Sequence, residues 1–169
     1  MRHTLNPLVR SLAWAMPLLA AASLATAADG KSVSQTDMAY QAGGSPLAKE
    51  AMEREVSAGQ KEIGERIAGR EIAALSEAPQ MTDPLHQATL RLLLNLQVAA
   101  LLTHPLLRAV VVQWHVGLSL RHGHCALSAY GYMAYGTILA RALQRYPEAH
   151  AWGLLALRLN ERYQNIELT

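Results

Sequence analysis

Residues 118–136 read LSLRHGHCALSAYGYMAYG, and this stretch decides how the chain folds. An apolar helical pattern runs up to His122, stops at Gly123 and resumes after Cys125. Glycine is the least costly residue for the left-handed turn that ends many helices. The stretch therefore predicts a helix, a tight turn and a second helix. Because a short connection makes neighbouring helices antiparallel, we expect a helical hairpin here.

The same organisation extends on both sides of this hairpin. Prolines that follow a capping residue open several segments with helical periodicity. The predicted helices cover about residues 47–68, 85–102, 106–121 and 126–143, with one more turn at 70–75 and a last helix opened by Pro147. No strand-like alternation is long enough to build a sheet. The sequence predicts an all-α fold of antiparallel helical hairpins.

The helix at 85–102 is rich in leucine, and its only polar stripe is Gln87, Arg91 and Asn95. A helix that is apolar on most sides needs neighbours on most sides. We therefore expect this helix to lie between other helices.

The N-terminal residues resemble an export signal. Arg2 and Arg10 carry positive charge, residues 12–24 are apolar, and Ala25 and Ala27 fit a signal-peptidase site. The apolar run is too short for a stable membrane span. An alanine-rich first helix, or a foreign leader from a misassigned start, are the alternatives. The predicted organisation is a leader at 1–27, a flexible linker at 28–45 and a helical domain at 46–165.

The overall composition indicates a folded chain and argues against one class of binding partner, nucleic acid. The chain has 51% hydrophobic residues, so it contains enough apolar surface to fold. A formal net charge of +2 without a basic run does not favour nucleic-acid binding. The single cysteine cannot form an internal disulfide and fits either a reducing or an oxidising compartment.

His122, His124 and Cys125 are the candidates for a metal site in the quoted stretch. Ligands this close in sequence converge poorly on one tetrahedral ion. We expect a solvated turn, with His115 and Ser119 in a polar stripe and the histidines on the outside. Neither the Cys125 thiol nor the Ser128 hydroxyl has a recognisable base and orienting acid, as nucleophilic catalysis requires. The sequence therefore predicts no catalytic residue, no cofactor and no metal.

Small and aromatic residues of the hairpin are predicted to pack helices together. A groove of small residues, including Ala129 and Gly136, lets a second helix approach closely. Tyrosine side chains are expected to be half-buried, with their hydroxyl groups at the rim. The residues assigned to helix packing or interaction are Ser128, Ala129, Tyr130, Tyr132, Tyr135, Gly136 and Trp152.

Three separated blocks resemble one family. They are GREIAALSEAPQMTDP, VGLSLRHGHCALSAYGYMAYG and AHAWGLLALRLNERY, within about residues 70–163. They are similar to the helical, tetratricopeptide-like repeat region of large bacterial signalling proteins that join a serine/threonine kinase-like domain, an AAA-type ATPase and a sensor histidine kinase. The chain lacks a P-loop and kinase motifs. The resemblance therefore implies an α-solenoid fragment and transfers no catalytic residue.

Two functions follow from these observations. The first is a non-catalytic helical scaffold that contacts other domains of a signalling protein, another protein or itself. The alternative is an exported helical protein that binds a metal or small ligand through the histidine-rich turn. A genuine leader predicts a periplasmic or exported protein, whereas the family resemblance predicts a cytoplasmic one.

Overall fold

The computed structural model describes residues 46–163 of the chain, and the regular structure in this part is helical. The elements are α1 (Pro46–Ile67), a short 3-10 helix (Ile72–Glu77), α2 (Pro84–Thr103), α3 (Pro105–His122), α4 (Ser128–Leu143) and α5 (Tyr146–Arg162). The prediction of an all-α fold is confirmed. The predicted leader and linker, and the last two residues of the predicted domain, lie outside the described residues.

The helix ends are where local chemistry predicts them. The carboxylate of Asp83 accepts a hydrogen bond from the Leu85 N–H at 2.8 Å, and Pro84 opens α2. Gly123 ends α3 with φ +90°. Gln144 ends α4 in the left-handed conformation with φ 54°. The expected turn at 70–75 is the 3-10 helix, displaced slightly towards the C-terminus.

Successive helices from α2 to α5 run antiparallel, because contacts between them pair rising with falling residue numbers. The contacts are His86 with His122 and Gln97 with His115 between α2 and α3, His115 with Gly131 and Ser119 with Ser128 between α3 and α4, and Tyr132 with Trp152 and Gly136 with Ala149 between α4 and α5. Helix α1 runs parallel to α3, since Gly59 lies against Gln113 and Glu62 forms an ion pair with Arg121 at 2.9 Å.

The core lies between α3, α4 and α5, with Ile63 of α1 and Leu75 of the 3-10 helix packed against it. Trp152, Leu155 and Leu159 of α5 recur at helical spacing and are fully buried. Burying one leucine side chain contributes about 1.5–3 kcal/mol, so this face alone is a large share of the fold's stability. Ile63 and Met52 are buried on one side of α1.

Helix α2 differs from the expectation. Leu90 and Leu93 are buried against the rest of the fold, but Leu85, Leu92 and Val98 are exposed by 68%, 49% and 64%. The prediction that this helix is covered on most sides is wrong for the described part of the chain. A high leucine content indicates that a helix packs against neighbouring helices, but it does not show that those neighbours belong to the same chain. We call Leu85, Leu92 and Val98 the outer face of α2.

Candidate functional site: a polar core beneath the histidine turn

The histidine-rich turn is fixed to the segment that precedes α2. The Met81 N–H donates a hydrogen bond to the His124 carbonyl at 2.8 Å, and the His124 N–H donates to the Pro79 carbonyl at 2.9 Å. The Tyr163 hydroxyl donates to the same His124 carbonyl at 2.7 Å. At Gly123, a Cβ atom would lie 2.3 Å from the Pro79 oxygen. This position therefore requires glycine both for its positive φ and for the close approach.

His124 is buried, with 0% of its surface exposed, so the prediction of a solvated turn is wrong at this residue. Its Nε2 shares a hydrogen bond of 2.7 Å with the Tyr132 hydroxyl, and its Nδ1 has no partner among the described residues. Either the Tyr132 hydroxyl donates to Nε2, which leaves the Nδ1–H unpaired, or the Nε2–H donates to the hydroxyl oxygen, which leaves the Nδ1 lone pair and the hydroxyl proton unpaired. In both cases the pair is buried and incompletely satisfied.

Tyr132 and Trp152 continue this polar core into α5. Their rings stack with centroids 5.3 Å apart, and Tyr135 meets Trp152 edge-on at the same distance. Burial raises the pKa of the Tyr132 hydroxyl above its usual range. Burial, reinforced by the Glu148 carboxylate, raises the pKa of Tyr135 to about 12. Tyr132 does not reach the rim as expected, because its hydroxyl points to His124.

His115 is the second buried imidazole, again with 0% exposure, and not part of an outer stripe. Its Nε2 lies 3.0 Å from the Leu127 carbonyl, which can only accept, so this nitrogen carries the proton. Its Nδ1 then accepts from the Gln97 amide at 2.8 Å. Both ring nitrogens of the neutral imidazole are satisfied, and the ring packs against Gly131.

Both buried histidines are neutral at physiological pH. Burial lowers the pKa of His115 to about 4, because a charged imidazolium loses its hydration, and the bond to the Leu127 carbonyl only partly opposes this. Burial also lowers the pKa of His124 to about 4, and the Arg162 cation adds to that effect. The imidazoles therefore serve as uncharged hydrogen-bonding groups inside the core.

Ser119, Ser128 and Cys125 form a small buried group where α3 meets α4. The Ser119 hydroxyl donates to the Ser128 hydroxyl at 3.0 Å, and Ser128 also accepts from the Cys125 N–H at 3.1 Å. The Cys125 thiol is free and buried. These two bonds link the turn to the end of α3 and the start of α4.

His122 points away from the two buried histidines. Its ring stacks on that of His86, with centroids 3.8 Å apart, and His86 in turn contacts Asp83 at 3.2 Å. Burial and the neighbouring His86 lower the pKa of His122. Within residues 46–163, no three His, Cys, Asp or Glu side chains come together as a metal site. The sequence candidates His122, His124 and Cys125 thus share a turn but not a ligand geometry.

The predicted packing residues lie where helices touch. Ala129 is fully buried, and a Cβ atom at Gly136 would lie 2.9 Å from the Ala149 carbonyl of α5. Tyr130 is half-buried. The small residues therefore set the close approach of α4 and α5 that brings Trp152 over Tyr132.

Sequence reasoning missed two residues that complete this core. Gln97 pairs with His115 from a helix 18 residues earlier in the chain. Arg162 of α5 donates to the Ser76 and Ala78 carbonyls at 2.7 and 3.2 Å. Neither role has a local signal, since both depend on which helices become neighbours.

No family model, curated protein or solved structure shows a significant match to this chain. None of the helices in residues 46–163 combines the length and apolar composition that crossing a bilayer requires.

Proposed function

We propose that the chain is a non-catalytic helical module that binds another helix of a protein partner through the outer face of α2. The observation that carries this proposal is the exposure of Leu85, Leu92 and Val98 on a helix whose opposite side packs into the fold. In stacked helical hairpins, the next helix covers such a face. When no other partner is present, that helix comes from a second copy of the chain.

The exposed side of α2 is partly polar. At about 3.6 residues per turn, Arg91 and Asn95 lie between Leu92 and Val98 on that side, so a partner helix meets two polar side chains between apolar ones. The helix contains no Asp or Glu, so no negative charge opposes such a contact. The polar core beneath the histidine turn offers no open functional group, so it supports a role in fixing the hairpins.

The test is light scattering after size-exclusion chromatography, combined with binding of a hydrophobic dye. We expect concentration-dependent association, or dye binding by the monomer, and loss of both in L92S/V98S. The matched control is L154S/L157S, which changes two exposed leucines of α5. A monomer that binds no dye contradicts the proposal, and so does equal loss in the control.

The alternative, a metal or small ligand at the histidine-rich turn, has a separate test. Metal analysis of protein purified without a histidine tag, and thermal shifts with zinc or copper, are compared with H122A/H124A. The separation of these imidazoles in the fold favours the scaffold over this alternative. The relation to kinase and ATPase signalling proteins stays a prediction, and a reading frame for such domains beside this gene is what it predicts.

A further inference from the structure

Helix α1 contributes few side chains to the core. Within residues 49–67, only Met52 and Ile63 are buried, whereas ten residues of α3 are buried. Most of the charged side chains in the same stretch of α1 are exposed. Because α1 removes little apolar surface from water, its release from the fold costs much less free energy than the unfolding of α3 together with α4 and α5.

The contact between α1 and α3 contains a buried side chain that is not satisfied. Gln113 of α3 is 3% exposed, and neither its amide nitrogen nor its amide oxygen has a hydrogen-bond partner among the described residues. Gly59 of α1 lies against this amide, and a Cβ atom at Gly59 would overlap the Gln113 side-chain oxygen. An unpaired buried polar group keeps the full cost of its lost hydration. The release of α1 would return the Gln113 amide to water and recover that cost.

An ion pair beside this contact links α1 to the end of α3. The Glu62 carboxylate accepts a hydrogen bond from Arg121 at 2.9 Å and another from Arg66 of its own helix at 2.9 Å. The side chains of Glu62 and Arg121 are 40% and 23% exposed, so water and salt screen their attraction. A pair of this kind contributes little to stability. It aligns α1 on α3 without opposing its release strongly.

The chain that follows α1 has the properties of a hinge. Gly69 has φ +73°, and a Cβ atom there would meet nothing within 4 Å, so no packing fixes this turn. The 3-10 helix that comes next is held by α5, since Arg162 donates to the Ser76 and Ala78 carbonyls at 2.7 and 3.2 Å. A movement of α1 can therefore be taken up at residues 68–70 while the 3-10 helix stays in place.

We propose that α1 is a hinged cover, which opens as one unit about Gly69 and exposes the side of α3 that carries Gln113. In the closed state, Ile63 packs in the same buried cluster as Val112 and Val116. In the open state, water reaches the Gln113 amide, and the apolar surface that Ile63 covers becomes accessible. The fold then presents a face of α3 only while α1 is released. This device is independent of the outer face of α2.

The experiment is hydrogen exchange of the full chain at neutral pH, followed by mass spectrometry of peptides from α1, α3 and α4. We expect residues 51–67 to share one level of protection, at least about tenfold lower than that of α3 and α4. Fraying from the N-terminus of the helix would instead give a protection that rises along α1 towards Gly69. That result overturns the proposal, and so does an equal protection of α1 and α4.

Substitutions at the contact test the role of the Gln113 amide. Gln113→Leu removes the unpaired groups at similar side-chain size, and it should slow the exchange of α1 about tenfold. Gly59→Ala places a methyl group against the Gln113 side chain, and it should speed the exchange of α1 about tenfold although alanine favours a helix. The double variant G59A/Q113A makes room for that methyl group and should reverse most of the increase.

The matched control is Gly64→Ala, on the same helix but with open space around the substituted position. It should slow the exchange of α1, because alanine is the better helix former. The proposal is wrong if G64A speeds the exchange as much as G59A, or if Q113L leaves the exchange of α1 unchanged. It is also wrong if G59A lowers the protection of α4 and α5 as much as that of α1, because the opening is then global.

Discussion

Acidification should destabilise this fold through its two buried imidazoles. His115 and His124 are fully buried, and each has a pKa near 4 in the folded chain, against 6.5 when unfolded. Because the folded pKa is the lower one, the unfolded chain binds more protons as the pH falls. The stabilisation that comes from keeping the two imidazoles neutral is complete above about pH 6.5 and is lost as the pH falls from 6.5 towards 4.

The size of the effect follows from the same pKa values. At about pH 5 the unfolded imidazole is almost fully protonated and the folded one is almost neutral, which costs about 2 kcal/mol for each histidine. The two together remove about 4 kcal/mol, a large part of the roughly 5–15 kcal/mol that stabilises a typical domain.

Urea denaturation followed by tryptophan fluorescence at about pH 7.5 and about pH 5 measures this loss. We expect H124Q to be less stable than the wild type at high pH but to lose about half as much stability on acidification. The control H150Q changes an exposed histidine of α5 and should keep the full pH dependence. The prediction is wrong if the free energy of unfolding is the same at both pH values. It is also wrong if H150Q reduces the pH dependence of that free energy as much as H124Q does.

Three further outcomes test the packing. In urea denaturation, Gly123→Ala should lower the free energy of unfolding by about 2 kcal/mol or more, because Gly123 has a positive φ and lies against the Pro79 carbonyl. Gly64→Ala should raise the free energy of unfolding by about 0.5–1 kcal/mol, because Gly64 has open space around it in α1. Leu155→Ala should cost about 2–5 kcal/mol, and Leu157→Ala, 59% exposed, less than about 0.5 kcal/mol; similar losses would contradict the assigned face of α5. The buried Cys125 thiol should react with a thiol reagent much more slowly in buffer than in urea, and equal rates would show that the turn is open.

The sequence is informative about the helices because their signals are local. Asp83 and Pro84 start a helix wherever they meet an apolar periodic run, and Gly123 ends one for reasons of backbone conformation alone. Each of these features acts within a few residues. The turn between α3 and α4 was therefore predictable from residues 118–136 without knowledge of the rest of the chain.

The polar core was not predictable in this way. The expectation that His115 and Ser119 face water rests on the cost of burying a polar group, and that cost disappears when a partner is supplied. The partner of His115 is Gln97, on another helix, and the partner of Ser119 is Ser128, beyond the turn. A pattern within one helix does not contain this information, so it placed the polar side chains on the wrong side.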